Sequence, residues 1–346
     1  MPAPSPDQIE VIAPNLKRRL SGVTATVLRL VPIQARRIGI VTTGPGLPPD
    51  LPHVPLWRIP FLPRRPRVWH ARRNSDLLAG VVLKRILRSD LRMIFTSSSP
   101  RVRSGWTRWL IGHCSALVAT GTRNAAVMPA AIETTLIPHG IDTAAFAPQP
   151  PGFFALPGQR LIGCFGRIRE KKGTRDLVQA LIAVLPAHPG WSAVIMGRIM
   201  PQEAGFAADL RAMIAAAGLE SRIHFRPEAG LDRMPAAYSD LSLYVAPSHY
   251  EGFGLTPAEA MACGVPVIAT AGVGTFDDQV ADGVTGLLVP PADPPALTAA
   301  LDRLLADPAQ LAQMAAATRP HVAAHFDIAA EAEALISLYR RLLAQP

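Results

Sequence analysis

The sequence predicts an α/β protein built from two doubly wound parallel sheets, and three observations support this. The 346 residues suit two domains of roughly 150 residues each. Short apolar runs alternate with helical patterns in both halves, which is typical of parallel sheets covered by helices. A segment with four prolines, 148–157, separates the two series. We therefore expect a first domain over 1–147, a linker over 148–158, a second domain over 159–325 and a terminal helix over 326–346.

The first series opens with an apolar run at 10–13, then a loop, then a helical pattern from Val23 to Pro32. Further strands are predicted at 37–43, 67–70, 92–96, 115–120 and 136–138, and helices at 76–87 and 108–113. Gly22 directly precedes the first helix, where a residue without Cβ lets a phosphate approach closely, although an ordinary turn glycine explains it equally well. Gly44 and Gly46 do not form a dinucleotide-binding loop, because the prolines that follow prevent a helix from starting there.

The second series opens with a strand at 160–168, followed by a loop and a helix that ends at Leu185. Later strands are predicted at 192–196, 223–225, 241–246, 265–269 and 286–289. Ligands of doubly wound sheets gather at the carboxyl ends of strands, so we expect them in a cleft that the two domains face. The terminal helix carries Leu335, Leu338, Tyr339 and Leu342 on one face, which predicts that this face packs against the protein.

Charge is distributed unevenly between the two halves. Residues 1–150 contain 20 Lys and Arg against 7 Asp and Glu, whereas residues 151–346 contain 15 against 19. Between Leu51 and Ser75 there is no acidic residue, although this stretch holds six arginines, at 58, 64, 65, 67, 72 and 73. A solvated face usually mixes both signs, so the first half is predicted to bind anions: nucleic acid, anionic lipid or a phosphorylated substrate.

Composition excludes several other classes. The sequence has no apolar run of the roughly 18 residues that a membrane span needs, and its start lacks the pattern of a secretory signal, so we expect a cytoplasmic protein. Three widely spaced cysteines, Cys114, Cys164 and Cys263, argue against a disulfide framework and predict buried thiols. His321 and His325 share a helix face, but no third ligand accompanies them, and no metal site is expected.

The most informative stretch is 244–266, where a strand ends and a helix begins. Glu251 and Glu259 flank a turn that contains Gly252, Gly254 and Pro257. Backbone N–H groups at such a turn can bind an anion at a helix N-terminus, which suggests a ligand that carries phosphate. On their own, the two carboxylates could also be the acid and nucleophile of a glycosidase.

Several separate motifs, in the right order, resemble the retaining glycosyltransferases of family four, which have the GT-B fold. These are Gly166-Arg167, Lys172-Gly173, the segment from Glu251 through Glu259, its continuation 260–269, and the segment 282–289. The similarity covers most of residues 136–295. Segments 11–15, 44–48 and 69–74 are similar to the mannosyltransferases of the bacterial lipopolysaccharide inner core.

The resemblance implies roles for individual residues. Arg167 and Lys172, with Lys171 as the adjacent alternative, would meet the negative charge of a departing nucleoside diphosphate. Glu251 would lie near the hydroxyls of the transferred sugar, and with the two cations it completes the predicted catalytic set. The predicted donor-binding residues are Gly22, Gly166, Gly252, Phe253, Gly254, Leu255, Thr256 and Glu259, the last accepting hydrogen bonds from the ribose. These cations argue against a glycosidase, and the absence of a convincing covalent nucleophile fits a front-face path in which the leaving phosphate takes the acceptor's proton.

The predicted acceptor-binding residues all lie in the first half: Lys17, His70, Arg72, Arg73 and Asn74. In one respect the chain departs from the family pattern. Several members have a histidine after the strand that corresponds to 93–97, where this chain reads Ile-Phe-Thr-Ser at 94–97. His70 is the nearest substitute, and a merely hydrogen-bonded histidine at a strand end is an equally good reading. His139, in a loop common in the family, is interpreted as structural.

The expected protein is a retaining glycosyltransferase that needs no metal or other cofactor. Its predicted donor is GDP-mannose, and its predicted acceptor is a lipid A precursor that bears 3-deoxy-octulosonic acid. The basic first half would serve both this anionic, lipid-linked acceptor and the inner face of the cell membrane. Other GT-B enzymes imply that the terminal helix returns to the first domain.

Two alternatives remain at this stage. Another nucleotide-sugar, such as UDP-glucose, UDP-galactose or UDP-GlcNAc, with another acceptor would keep every donor motif intact. The sequence pI of about 10.2 also allows a nucleic-acid-binding protein. No RNA-binding aromatic motif or DNA-reading signature accompanies the arginines, so nucleic acid is not an expected partner.

Overall fold

The computed structural model describes residues 3–18, 22–156 and 160–345, which fall into two compact units. The first unit comprises Met1–Gly140 together with Ile328–Pro346, and the second comprises Ile141–Asp327. Within these described ranges, no helix combines the length and apolarity that crossing a bilayer demands.

The first unit is built on a parallel sheet of six strands. They are β1 (Val11–Pro14), β2 (Ile40–Thr43), β3 (Arg67–Ala71), β4 (Leu91–Ser97), β5 (Ala116–Ala119) and β6 (Thr134–Leu136). Its first helices are α1 (Gly22–Gln34), α2 (Asn74–Arg85), α3 (Gly105–Ile111) and α4 (Thr122–Ala126). The strand order is β2-β1-β3-β4-β5-β6, so the chain reverses direction across the sheet between β1 and β3. The loops that follow these two strands therefore meet at the switch point, where ligands bind in such sheets.

The second unit repeats this architecture. Its strands are β7 (Arg160–Phe165), β8 (Trp191–Met196), β9 (Ile223–Arg226), β10 (Leu243–Ala246), β11 (Val267–Thr270) and β12 (Gly286–Val289). Its helices are α5 (Thr174–Val184), α6 (Ala204–Ala216), α7 (Met234–Ser239), α8 (Thr256–Ala262), α9 (Phe276–Gln279), α10 (Pro294–Ala306) and α11 (Pro308–His325). The order β12-β11-β10-β7-β8-β9 places the switch point between β7 and β10. Two loops that carry predicted donor residues begin at these two strands.

Each sheet is covered on both faces because its strands are apolar on both sides, as expected for parallel strands. In the first unit, α1 covers one face, while α2 and α3 share a separate core on the other. The terminal helix α12 (Ile328–Leu343) packs beside α1 in the first unit. Its residues Leu335, Leu338, Tyr339 and Leu342 are buried there, as their spacing predicts.

The structure differs from the sequence prediction in the connection between the units. The proline-rich segment expected as a linker belongs to the second unit as far as it is described, and the unit boundary falls after Gly140. Asp240 fixes this segment, because its carboxylate accepts from the backbone N–H groups of Gly152 at 2.7 Å and Phe154 at 2.8 Å. The Phe154 side chain is buried in the second unit's core, and this packing also holds the proline-rich segment against the unit.

Several element bounds also differ by a few residues, and two of these differences lie at prolines. The strand expected at 136–138 ends at Leu136, because Pro138 lacks the N–H that continues a ladder. Helix α1 runs past Pro32 to Gln34 instead of ending at the proline.

Candidate active site

The loop after β7 positions Lys172 in the second unit. Gly166 has φ +141°, a backbone conformation that a side chain rarely adopts, and it turns the chain away from the strand. Gly173, at φ +65°, closes the loop and starts α5. A Cβ on Gly173 would lie 1.8 Å from the carbonyl oxygen of Pro247, so only glycine allows the β7 and β10 loops to approach this closely. The approach brings Lys172 to the loop that carries Glu251.

Lys172 and Glu251 form an ion pair at the switch point. Lys172 Nζ donates to Glu251 Oε1, and the two side chains are 21% and 15% exposed. Ser248 Oγ also donates to Glu251 Oε1, at 2.9 Å. The structure thus brings together two of the three predicted catalytic residues. Glu251 Oε1 already accepts from two side chains, which fixes the orientation of this carboxylate at the switch point.

The third predicted catalytic residue, Arg167, lies on the same loop as Lys172 and is exposed. The described residues provide no hydrogen bond or ion pair for its guanidinium, which leaves this group available for an anion. Lys171 is also exposed, and only its carbonyl is engaged, accepting from His249 N at 3.1 Å. Lys172 is the one of the two lysines whose side chain is directed to the switch point.

The glycine turn from Gly252 to Leu255 is held by a buried glutamine. Gln279 Nε2 donates to the carbonyl oxygen of Gly254 at 2.8 Å, and its Oε1 accepts from Ala258 N at 3.1 Å. Gly254 itself has φ +83°. Along the described chain, the N–H groups of Gly254 and Leu255 have no acceptor, so they can donate to a ligand. The helix that follows has only 7 residues and its Ala258 N–H is already used, so the free donors of this segment lie in the turn.

Glu259, on α8, is oriented by Tyr238. The Tyr238 hydroxyl donates to Glu259 Oε2 at 2.9 Å from a fully buried ring. Burial, together with the negative charge of Glu259, raises the pKa of Tyr238 well above its usual value, so this hydroxyl keeps its proton. A carboxylate can accept about four hydrogen bonds, so Glu259 can accept from ligand hydroxyls as well as from Tyr238.

In the first unit, the predicted acceptor residues separate into different environments. Arg73 Nη1 donates to Asn15 Oδ1 at 2.7 Å and its Nη2 donates to Thr24 Oγ1 at 2.8 Å, so Arg73 ties the β1 loop to α1. Asn74 Nδ2 donates to Thr107 Oγ1 at 2.9 Å and thereby links α2 with α3. Lys17 is exposed, and Gly22 is the first residue of α1 with open space around it. Of these acceptor candidates, Arg72 lines a cavity at the carboxyl ends of β3 and β4.

His70 does not fit the predicted contact with an acceptor, because it is fully buried. Its Nδ1 lies 2.6 Å from the Tyr339 hydroxyl and its Nε2 lies 2.6 Å from Thr96 Oγ1. The pleat of β3 directs the His70 side chain under α12. Its position near the end of a strand does not by itself predict this direction. The histidine that lines the cavity is His139, whose Nε2 is 2.9 Å from Ser98 Oγ, directly after β4.

The buried His70 predicts a dependence of stability on pH. Burial, with the positive charge of Arg72 and with His139, holds the pKa of His70 well below 6.5. Below about pH 6.5 the His70 side chain takes up a proton in the unfolded chain but not in the folded protein. The free energy of unfolding therefore falls by up to about 1.4 kcal/mol for each pH unit by which the pH is lowered. When the pH is lowered from about 7.5 to about 5, we expect chemical denaturation to show a smaller loss in the free energy of unfolding for His70→Gln than for wild type. Equal losses in the two proteins would contradict this account.

The cysteines and histidines provide no competing site. All three cysteines are free, and burial raises the pKa of each thiol to about 12. Cys114 and Cys263 are buried as predicted, whereas Cys164 is only partly buried. His321 Nε2 lies 2.9 Å from the carbonyl oxygen of Gln279. No cluster of three or more potential metal ligands occurs in the ranges that the structure describes.

Comparison with known proteins places this architecture and site in a family. The family described as Glycosyl transferases group 1 matches residues 152–321. Over 96% of this chain, the fold is similar to the crystal structure of Anabaena Alr3699/HepE in complex with UDP and glucose, with a TM-score of 0.79 and 19% identity over 100% of that chain. Two parallel-sheet Rossmann-like domains of this kind are the GT-B glycosyltransferase architecture, as predicted.

Two relatives are similar along nearly their whole length. The lipopolysaccharide core biosynthesis mannosyltransferase LpcC of Rhizobium leguminosarum bv. viciae is 43% identical, with 97% of this chain and 97% of the relative covered. Lipopolysaccharide core biosynthesis mannosyltransferase LpsB of Rhizobium meliloti (strain 1021) is 42% identical, with 97% and 98% covered. The chain therefore belongs to the group 1 glycosyltransferases and is an enzyme of this class, which confirms the resemblance seen in its motifs.

Proposed function

We propose that this enzyme transfers mannose from GDP-mannose to the inner core of lipopolysaccharide, on a lipid A acceptor that bears 3-deoxy-octulosonic acid. The observation that carries this proposal is the similarity to LpcC and LpsB, which extends through both units. Similarity restricted to the second unit would support only a shared donor site. Similarity in the first unit supports a shared acceptor class as well.

The second unit supplies a consistent donor site. Arg167 and Lys172 provide the positive charge that stabilises a departing diphosphate, and no metal ion is required for this role. The free N–H groups of Gly254 and Leu255 bind the phosphate or the sugar. Glu259, oriented by Tyr238, accepts from the ribose hydroxyls, and Glu251 accepts from the sugar. The departing phosphate takes the proton of the acceptor hydroxyl on the face from which it leaves, so the configuration at the anomeric carbon is retained.

The acceptor is lipid-linked, and the first unit has a surface suited to a membrane. We define the α2–α3 face as Leu78, Val82, Ile86, Trp106 and Trp109, all of which are exposed. The α2 residues recur every four positions on one stripe, and the two tryptophan rings stack with centroids 5.0 Å apart. Both helices bury their opposite sides in one core cluster, so these exposed side chains lie on the same side of the sheet.

The charge of the segment that carries this face matches an anionic bilayer. Residues 51–110 contain 13 Lys and Arg but only two acids, Asp76 and Asp90. Asp76 is fully buried, and Asp90 lies 3.5 Å from Arg92. Exposed tryptophans among cations are typical of proteins that lie at a membrane interface. We therefore propose that the enzyme is cytoplasmic and docks through this face on the inner surface of the cell membrane.

The test is a donor panel with the purified enzyme. GDP-mannose, UDP-glucose, UDP-galactose and UDP-GlcNAc are offered with lipid A that bears 3-deoxy-octulosonic acid, with and without a metal chelator. We expect mannose transfer from GDP-mannose, retained anomeric configuration and no effect of the chelator. Transfer from UDP-sugars alone would refute the donor assignment, and loss of activity with the chelator would refute metal independence.

A further inference from the structure

A cavity of about 160 Å³ opens in the first unit at the carboxyl ends of β3 and β4. Arg72 lies on one side of it, and Ser97, Ser99 and Arg103 follow from the end of β4. This volume corresponds to roughly five water molecules, enough for one small charged group with part of its sugar. The cavity lies next to the switch point between β1 and β3.

Arg72 is a buried cation without an acidic partner. It is only 7% exposed, and no carboxylate in the described chain lies within ion-pair distance of its guanidinium. Its Nε is buried without a hydrogen-bond partner there. The contacts of its guanidinium within the described chain are with neutral groups: the carbonyl oxygen of His70 at 3.4 Å, His70 Nδ1 at 3.5 Å and the side chain of Tyr339. Burying a charge without a partner is costly, so the site is incomplete without an anion.

Arg103 brings a second guanidinium to the same cavity. Its Nη2 donates to Ser97 Oγ and to the carbonyl oxygen of Ser99, and the group lies 5.4 Å from the ring centroid of Phe95. The Glu331 carboxylate lies behind His139 and is not among the residues that line the cavity; it accepts from Gly140 N at 2.7 Å and contacts His139 Nδ1 at 2.8 Å. Two arginines and nearby serine hydroxyls thus line this cavity, and none of the described lining residues is a carboxylate.

We propose that this cavity binds the carboxylate of an acidic sugar in the acceptor, between Arg72 and Arg103. The inference rests on the proposed function and names the group by which the acceptor is recognised. A planar carboxylate matches the fork of a guanidinium, and charge-assisted pairs of this kind are among the strongest hydrogen bonds in proteins. A phosphate has related chemistry, and it could come from the lipid or from the donor, so the experiment separates these sources.

The experiment measures binding by calorimetry, without requiring transfer. The ligands are a methyl glycoside of 3-deoxy-octulosonic acid, its methyl ester, inorganic phosphate and GDP-mannose. The proteins are wild type, Arg103→Gln and a matched control, Arg123→Gln, which changes an exposed arginine elsewhere in the first unit. Arg103 lies in a loop before α3, so its replacement is compatible with folding, which the unfolding temperature checks.

We expect the acid to bind the wild type and the control equally, and Arg103→Gln at least about tenfold more weakly, as for the loss of one charge-assisted pair. The methyl ester should bind weakly to all three proteins, and GDP-mannose equally to all three. In transfer assays, Arg103→Gln should raise the acceptor KM and leave kcat nearly unchanged.

Three results would overturn the inference. If Arg103→Gln binds the acid with unchanged affinity, the cavity does not bind the carboxylate. An equal loss of affinity for GDP-mannose assigns the cavity to the donor's phosphates, and binding of phosphate without binding of the acid assigns it to a phosphate group. Acid binding that depends on Arg103, together with no transfer from GDP-mannose, would instead retain the cavity and refute only the proposed function.

Discussion

The Lys172→Ala variant is expected to lose about 10²- to 10³-fold in kcat, the range typical of removing one group that stabilises charge in the transition state. Lys172 is the cation that the β7 loop directs to the switch point, and its side chain is mostly shielded from water. Additional negative charge develops on the diphosphate as its bond to the sugar breaks, so the loss should appear in kcat more than in KM. Steady-state kinetics with the best donor of the panel measures it.

The adjacent lysine provides the matched control. Lys171 is exposed, and Lys171→Ala removes the same functional group one position earlier in the chain. We expect kcat to remain within about threefold of wild type. If Lys171→Ala is inactive and Lys172→Ala is active, the two assignments must be exchanged. Wild-type kcat in Lys172→Ala would remove Lys172 from the mechanism.

The ion pair with Glu251 offers a second explanation that the kinetics must separate. Removing Lys172 leaves the half-buried Glu251 without its cation, which alone lowers stability. In the double variant Lys172→Ala/Glu251→Gln, we expect the unfolding temperature to recover while kcat stays low. Recovery of kcat in the double variant would show that Lys172 serves only to neutralise Glu251.

The grouping of the proposed donor residues could be predicted because they are close in sequence and follow strands of one sheet. Gly166 through Gly173 follow β7 and Glu251 through Glu259 follow β10, and the sheet order makes these strands neighbours. The supporting residues could not be predicted in this way. Tyr238 and Gln279 come from α7 and α9, and their hydrogen bonds to Glu259 and Gly254 depend on packing that no local pattern records.

The proposed acceptor half was harder to predict, because a run of arginines does not show which of them have hydrogen-bond partners within the protein. Arg73 is held by Asn15 and Thr24, whereas the neighbouring Arg72 lacks an acidic partner in the described chain. The role proposed for Arg103 has no local sequence signal, since this residue lies 31 positions beyond Arg72 in an irregular loop. Only the pairing of β3 with β4 places the ends of both strands at one cavity.

Replacing both tryptophans of the α2–α3 face, as Trp106→Ser/Trp109→Ser, is expected to weaken binding to anionic vesicles by at least about tenfold. Burying even part of two indole rings in the interface contributes on the order of 2 kcal/mol, and a tenfold change corresponds to about 1.4 kcal/mol. Both rings are about half exposed in the free protein, so their removal leaves the core beneath them intact. Sedimentation with vesicles that contain about 30% anionic lipid measures the partition, and the cations around the face predict that salt weakens it.

Leu231→Ser is the matched control, because Leu231 is a highly exposed apolar residue of the second unit, outside the proposed face. It should bind vesicles as the wild type does. The tryptophan variant should keep its activity on a water-soluble acceptor fragment and lose activity only on acceptor embedded in vesicles, since the face serves access to the lipid and not the transfer itself. Vesicle binding that survives in the tryptophan variant, or that Leu231→Ser abolishes, would place the membrane contact elsewhere on the molecule.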